Sequence, residues 1–263
     1  MFSDLGALSP LDGRYYSSAK ELNAYFSEAA LMQYRIYVEV EYLLALAKQK
    51  EIRKRLLIDD KEQSKLRKLY QSFDLNAAKE IKEIEKKINH DVKAIEYYIQ
   101  DKTRSSLHPW IHFALTSEDV NNISYSLMWK HALEKVYLPS ASSLQSILLD
   151  LIREYRKSPM LSLTHGQPAT PTTFGKEIRV FYNRIERQIV KLEKGALLAK
   201  MSGATGTWSA HNIAFASVDW FKFTSKFVMS LGLKPNLVTT QIEPHDSIAE
   251  SYQNVLRLNL ILK

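Results

Sequence analysis

Apolar residues recur three and four places apart along most of this chain, and hardly any stretch alternates with the period of two that a half-buried strand requires. The pattern predicts an all-α fold. Leu31, Tyr34, Val38, Tyr42 and Ala45 share one helical face, with Arg35, Glu39 and Glu41 expected largely outside it. A second stripe runs through Ile81, Ile84, Ile88, Val92, Ile95 and Ile99. The polar triplet Asn89-His90-Asp91 interrupts it, so that Asn89 or Asp91 ends one helix and caps the next.

Thr116-Ser117-Glu118-Asp119 reads as a helix start, with hydroxyl caps followed by acidic residues that complement the exposed amides. That helix is expected to reach about Tyr137, and Pro139 to open another whose buried face is Leu144, Ile147, Leu151 and Tyr155. The segment LSLTHGQPATPTT follows. Its Pro168 and Pro171 exclude a regular helix, so it is expected to be a rigid loop, with Thr172 or Thr173 capping a long helix that carries Phe174, Ile178, Phe181, Ile185, Ile189 and Leu192. Residues 202–217 read as a loop and 219–231 as a shorter helix. A second loop, LKPNLVTTQIEPHD, precedes a final helix with Ile248, Tyr252, Val255, Asn259 and Leu262 on one face. Lys263 arrives with no glycine, proline or polar cap, which predicts a core helix cut short. A shift from shorter, charge-rich helices to longer, more apolar ones places a domain boundary near residue 112, giving 1–112 and 113–263.

Composition limits the chemistry. There is no cysteine, so disulfides, thiolate nucleophiles and metal–thiolate sites are excluded for this chain. No basic-then-apolar start and no membrane-length apolar run is present, which predicts a soluble, cytoplasmic protein with no membrane partner. The net charge of +7 favours anionic ligands. Nucleic acid is one such ligand, but the cations are interleaved with glutamate, as in KEIKEIEKK, which is the pattern of solvated helix faces. His108 and His112 stand four apart without a third ligand at suitable spacing, and Gly203-x-x-Gly206 lacks the Lys-Ser/Thr of a phosphate loop. Neither a metal nor a cofactor is expected.

Five segments each pack several hydrogen-bonding side chains into a few residues: DGRY (12–15), NHDVKAIEY (89–97), TSEDVNN (116–122), THGQPAT (164–170) and TTQIEPHD (239–246). Each has an ordinary explanation. A lone histidine most often caps a helix or bonds a carbonyl, a Thr-Ser pair is a good N-cap, and a terminal arginine is usually a solvated charge. Together, in this order and spacing, they resemble the adenylosuccinate lyase branch of the fumarase/aspartase superfamily. THGQPAT with TSEDVNN carries the superfamily, while DGRY and QIEPHD point to this branch rather than to argininosuccinate lyase.

The resemblance implies a long-helix bundle with a smaller helical N-terminal domain, and elimination of fumarate from a succinyl-purine nucleotide without a cofactor. It implies that His165 is the general acid, a role suited to an imidazole because its pKa lies near neutrality. His90 would bind or charge-stabilise the substrate, with Asn89 beside it and Asp91 orienting an imidazole. Thr116 and Ser117 would hold a succinyl carboxylate at a helix N-terminus, a natural anion site, and Thr164 would bind the substrate beside His165. Arg14 and Tyr15 would meet the nucleotide phosphate, for which a guanidinium fork fits. Gln241 would contact the succinyl part, supported by Glu243 and His245. The superfamily's base is a serine on a loop with the signature SSxMPxKxN, which these residues do not contain. The resemblance further implies a homotetramer whose active sites are shared between subunits. Two other classes stand as alternatives: a basic helical nucleic-acid-binding protein and a non-catalytic helical scaffold.

Overall fold

The structure, a computed structural model, describes residues 6–263. After three short helical turns between Tyr16 and Phe26 come the helices α1 (Glu28–Ala47), α2 (Asp60–Gln71), α3 (Leu75–Ile88), α4 (Asp91–Asp101) and α5 (Ser117–Ala132). A π-helical turn, Leu133–Tyr137, precedes α6 (Leu138–Glu154); then follow strands β1 (Pro159–Thr164) and β2 (Gln167–Thr173), helix α7 (Phe174–Lys194) and strand β3 (Leu198–Ala199). Helices α8 (Ser209–Ala214) and α9 (Trp220–Ser230), strand β4 (Lys234–Pro235) and helix α10 (Asp246–Leu262) complete the order. The described residues are all-α apart from two small two-stranded sheets. Its contacts form two compact units, the first taking residues up to His131 together with Leu197–His245, the second Ala132–Ala196 with Asp246–Lys263. The contacts thus group 113–131 with the N-terminal helices, and a domain division at residue 112 stays a proposal for the longer fold.

In the first unit α1 is the central element. Ser27 caps it by accepting from the Ala30 amide at 3.1 Å, and Ile36, Val38, Tyr42, Leu43 and Leu46 are fully or almost fully buried. Arg35 and Glu39 are buried as well, contrary to the expectation of a polar outer face. Neighbours surround α1 on several sides, so its sequence keeps polar residues only where they find polar partners. Asp59 and Asp74 cap α2 and α3, and Asn89 closes α3 in the left-handed region at φ 54°. His90, not Asp91, caps α4. An aromatic cluster joins Tyr42 to Phe227 (5.7 Å between ring centres), with Trp110 and Phe113 from the segment before α5, Phe215 at the end of α8 and Trp220 of α9 nearby.

The 202–217 stretch expected to be a loop contains the short helix α8 and a close backbone approach. Gly206 lies at φ +76°, where a Cβ would stand 2.1 Å from the Thr239 carbonyl oxygen. Gly206→Ala is therefore expected to lower stability by about 1–3 kcal/mol, read as a shift in the urea midpoint. An unchanged midpoint would show that the 239 segment yields freely.

The second unit is built on α6, α7 and α10. Ala141, Ile185, Ile189 and Leu258 form its buried centre, with Leu144, Leu148 and Ile261 packed against it. The start of α7 lies so close to the end of α6 that a Cβ on Gly175 would be 2.8 Å from the Ile152 oxygen. Thr173 caps α7. Of the expected buried face of α6, Ile147 is exposed, as is Phe181 of α7, because each stripe is wider than the neighbours in one chain can cover. The segment expected to be a rigid loop is an antiparallel hairpin, pairing Pro159 with Thr173 and Thr164 with Gln167. Its turn residues His165 and Gly166 both take positive φ, 51° and 73°, the two-residue geometry whose twist matches paired strands. The prolines fit because a two-stranded ribbon leaves one edge of each strand unpaired.

Candidate functional site

His90 is oriented by its own helix. As N-cap of α4 its Nδ1 accepts the Lys93 amide at 3.1 Å, so the neutral ring carries its proton on Nε2. The side chain is half exposed, at 52%. Asp91, the next residue, is fixed from behind: buried Arg35 donates to its Oδ2 at 2.6 Å and, through Nε, to Asn121 Oδ1 at 2.9 Å. Partial burial raises the Asp91 pKa, but the Arg35 guanidinium and the Val92 amide outweigh it and hold the carboxyl below its ordinary value. One buried arginine therefore ties α1, α4 and α5 together directly behind the Asn89-His90-Asp91 triplet.

The N-terminus of α5 is built around Asp119. Its Oδ2 accepts the Thr116 amide at 2.9 Å, the backward half of a capping box, and Oδ1 accepts the Ser202 amide at 3.0 Å. The Gly203 amide bonds both oxygens. Fully buried Lys200 completes the arrangement, its Nζ lying 3.0 Å from Asp119 Oδ1 and donating to the carbonyls of Gly203 (2.8 Å) and Gln241 (2.7 Å). Asn122 bonds both the amide and the carbonyl of Lys200. Thr116 and Ser117 are half-buried at this end. The amides of Ser117 and Glu118 belong to the first helical turn, where N–H groups lack intrahelical acceptors and can meet an anion.

The segment carrying Gln241 has no helix or strand of its own and is held by side chains. Buried Glu243 accepts from Asn236 Nδ2 at 2.8 Å and from the His245 amide at 2.6 Å. The His245 ring lies between two carboxylates, 3.4 Å from Glu118 Oε1 and 3.5 Å from Glu243 Oε2. Gln241 itself is exposed.

Two histidines outside the expected set are more deeply placed than those in it. His112, at φ 58°, donates from its ring and its amide to buried Glu39, and its Nε2 lies 3.8 Å from Glu96. Burial lowers its pKa, but Glu39 and Glu96 more than reverse this and raise it. His211 is fully buried beside Trp220 (4.8 Å between ring centres), with Nε2 3.1 Å from the Tyr42 hydroxyl. Burial and then Lys200 push its pKa down to about 4, Asp119 only partly opposing. The signs are opposite. The His112 contribution is present below the unfolded pKa and is lost as pH rises through its raised folded value. The His211 contribution is present above the unfolded value of 6.5 and is lost as pH falls from there toward about 4. Urea midpoints are expected to fall between pH 6.5 and 4, His211 accounting for up to about 3 kcal/mol. His211→Leu should flatten that limb, and an equally steep fall in the variant would contradict the assignment.

The expected residues thus fall into groups. The first unit gathers Asn89, His90 and Asp91 on one side of α5 through Arg35 and Asn121, and Thr116 and Gln241 through Asp119 and Lys200. Arg14 and Tyr15 lie exposed in the first turn of the described chain, the guanidinium 5.7 Å from the Tyr15 ring centre. Thr164 and His165 stand exposed at the hairpin tip of the second unit. Among the described residues no group of three or more His, Asp or Glu is placed to hold a metal ion, and no helix is long and apolar enough to cross a membrane.

The described helices and loops present imidazoles, hydroxyls and first-turn amides, groups that can move protons and hold anions. Residues 13–263 match the family described as Lyase, and the chain belongs to it. It is 45% identical over 263 residues to an adenylosuccinate lyase of Legionella pneumophila (strain Philadelphia 1), covering 98% of this chain and 58% of that protein. It is 43% identical to the Haemophilus influenzae adenylosuccinate lyase and 44% to that of Escherichia coli K12, over 265 residues in each case, 99% of this chain and 58% of each relative. The chain therefore spans 58% of the length of these curated relatives. Among solved structures, a fumarate lyase from Mesorhizobium sp. BNC1 superposes with a TM-score of 0.74 at 19% identity, covering 92% of this chain and 55% of the other. A beta-carboxy-cis,cis-muconate cycloisomerase from Acinetobacter calcoaceticus gives 0.68 at 19% identity, with 90% and 54% covered. These two share the fold.

Proposed function

We propose that this chain forms the N-terminal and central part of an adenylosuccinate lyase, which releases fumarate from adenylosuccinate to leave AMP, and from the related pathway intermediate SAICAR to leave AICAR. The observation that carries the reading is identity of 43–45% to proteins of that name along essentially the whole chain. The built features agree with it. In this reading the first-turn amides of α5 with Thr116 and Ser117 take a carboxylate of the succinyl arm, and Gln241 and Thr164 contact the same arm. Arg14 and Tyr15 take the phosphate, a pair without use for a phosphate-free substrate such as argininosuccinate.

Removal of the proton next to a carboxylate gathers charge on that carboxylate in the transition state, where preorganised donors act most strongly. His90, whose Nδ1 is engaged by the Lys93 amide so that Nε2 carries the proton, is such a donor, and Asn89 and Asp91 shape its surroundings. His165 protonates the departing purine nitrogen. The exposed apolar side chains of α6, α7 and α10, including Ile147, Phe181, Leu256 and Leu260, support a homotetramer in which copies of this bundle cover one another and share active sites. The working environment is the cytoplasm.

Because the SSxMPxKxN signature of the proton-abstracting serine is not among these 263 residues, the chain alone is expected to release no fumarate from adenylosuccinate. A polypeptide extended to the length of the relatives is expected to do so. Ultraviolet absorbance of the conjugated diacid reads both. Equal turnover by the two would refute the assignment of the base.

A further inference from the structure

We propose that Lys200 is a positioning residue that, through Asp119, fixes the spacing between the α5 N-terminus and Gln241 and so sets which dicarboxylate arm the site accepts. The proposal rests on the reading of Thr116, Ser117 and Gln241 as contacts to that arm. Lys200 is fully buried and cannot itself touch a ligand. Its ammonium has three donors and all three are used: Asp119 Oδ1, the Gly203 carbonyl and the Gln241 carbonyl. Asp119 in turn holds the Thr116 amide. A single buried ion pair therefore lies between the two places that would grip opposite ends of a dicarboxylate.

Among the described residues, Lys200 is the donor to the Gln241 carbonyl. The anchors at Glu243 and His245 act further along the segment, and Gly206 packs against residue 239. Loss of the ammonium would leave the Gln241 carbonyl without its donor while both flanking anchors persist, so within this segment the disturbance should be confined to about residues 239–242, and through Asp119 it should reach Thr116. A site whose two grips are held at fixed separation should discriminate between arms differing by one methylene, a difference worth about tenfold or more where the fit is tight.

The test has two arms. In this chain, hydrogen exchange is measured for the wild type, Lys200→Met, and the double variant Asp119→Asn with Lys200→Met, which leaves no unpaired buried charge and so folds where the single variant fails. Exchange is expected to quicken about tenfold or more at 239–242 and at Thr116, with α3 unchanged. In the polypeptide extended to the length of its relatives, the variants are expected to raise KM for adenylosuccinate about tenfold at nearly constant kcat, and to erase the preference for succinate over glutarate as competitive inhibitors. A general folding defect would instead lower kcat through the active fraction and leave KM and the preference alone.

Wild-type exchange at 239–242 in the folded double variant overturns the proposal, as does an unaltered succinate preference. Gln241→Ala separates the two ways of failing. If it leaves KM alone, the substrate reading falls and this proposal with it; if it raises KM while the Lys200 variants do not, the Lys200 link alone is wrong.

Discussion

Asp119→Ala is expected to destabilise the chain by about 3–5 kcal/mol, more than Gly206→Ala. The side chain has no exposure, and its removal leaves the Lys200 ammonium buried with only two carbonyl partners. It also strips acceptors from the amides of Thr116, Ser202 and Gly203. Each buried donor left without an acceptor adds about 1–3 kcal/mol of desolvation cost, and these terms overlap rather than sum. Chemical denaturation of the variant beside Asp119→Asn checks the expectation, since asparagine keeps one carbonyl acceptor and should lose less. Equal stability of wild type and alanine variant would mean that water enters and replaces the carboxylate.

His165→Asn is expected to lower kcat by about 10²–10⁴-fold in the polypeptide extended to the length of the relatives, while the hairpin stays folded. Asparagine is chosen because residue 165 sits at φ 51° ahead of Gly166 at φ 73°, and asparagine enters the left-handed region more readily than other residues of its size. The substitution therefore removes the imidazole and keeps the turn, which alanine would not. Fumarate release measured with a substrate carrying a better leaving group should recover part of the loss, because less protonation of the departing nitrogen is then required. A variant with wild-type turnover would remove His165 from the chemistry.

The helices were legible in the sequence because their apolar spacing is a local signal that survives without knowledge of neighbours. A cap at Thr172 or Thr173, of which Thr173 is the one used, and the Thr116–Asp119 start were legible for the same reason, since a cap acts within one turn. What escaped was long-range. Arg35 and Glu39 look like a polar face when α1 is read alone, and only the approach of Asp91, Asn121 and His112 turns them into a buried network. The hairpin at 159–173 carries no clean alternation, and its two prolines suggest a rigid loop, although the His165-Gly166 pair is a turn signal of the two-residue kind. Lys200 had a trace in the sequence, a single cation within the apolar run ALLAKM, but nothing there named Asp119 as its partner 81 positions earlier. Of the candidate site, the polar segments themselves were readable; the scaffold of buried charges that aims them was not.

The most direct measurement is a crystal structure of the polypeptide extended to the length of the relatives, soaked with AMP and fumarate. The dicarboxylate is expected against Thr116, Ser117 and the first amides of α5, the phosphate at Arg14 and Tyr15, and the His165 imidazole within hydrogen-bonding reach of the purine amino group, contributed by the same or a neighbouring subunit. Ligands bound elsewhere, or an assembly that leaves His165 and Ser117 on surfaces no subunit brings together, would contradict it.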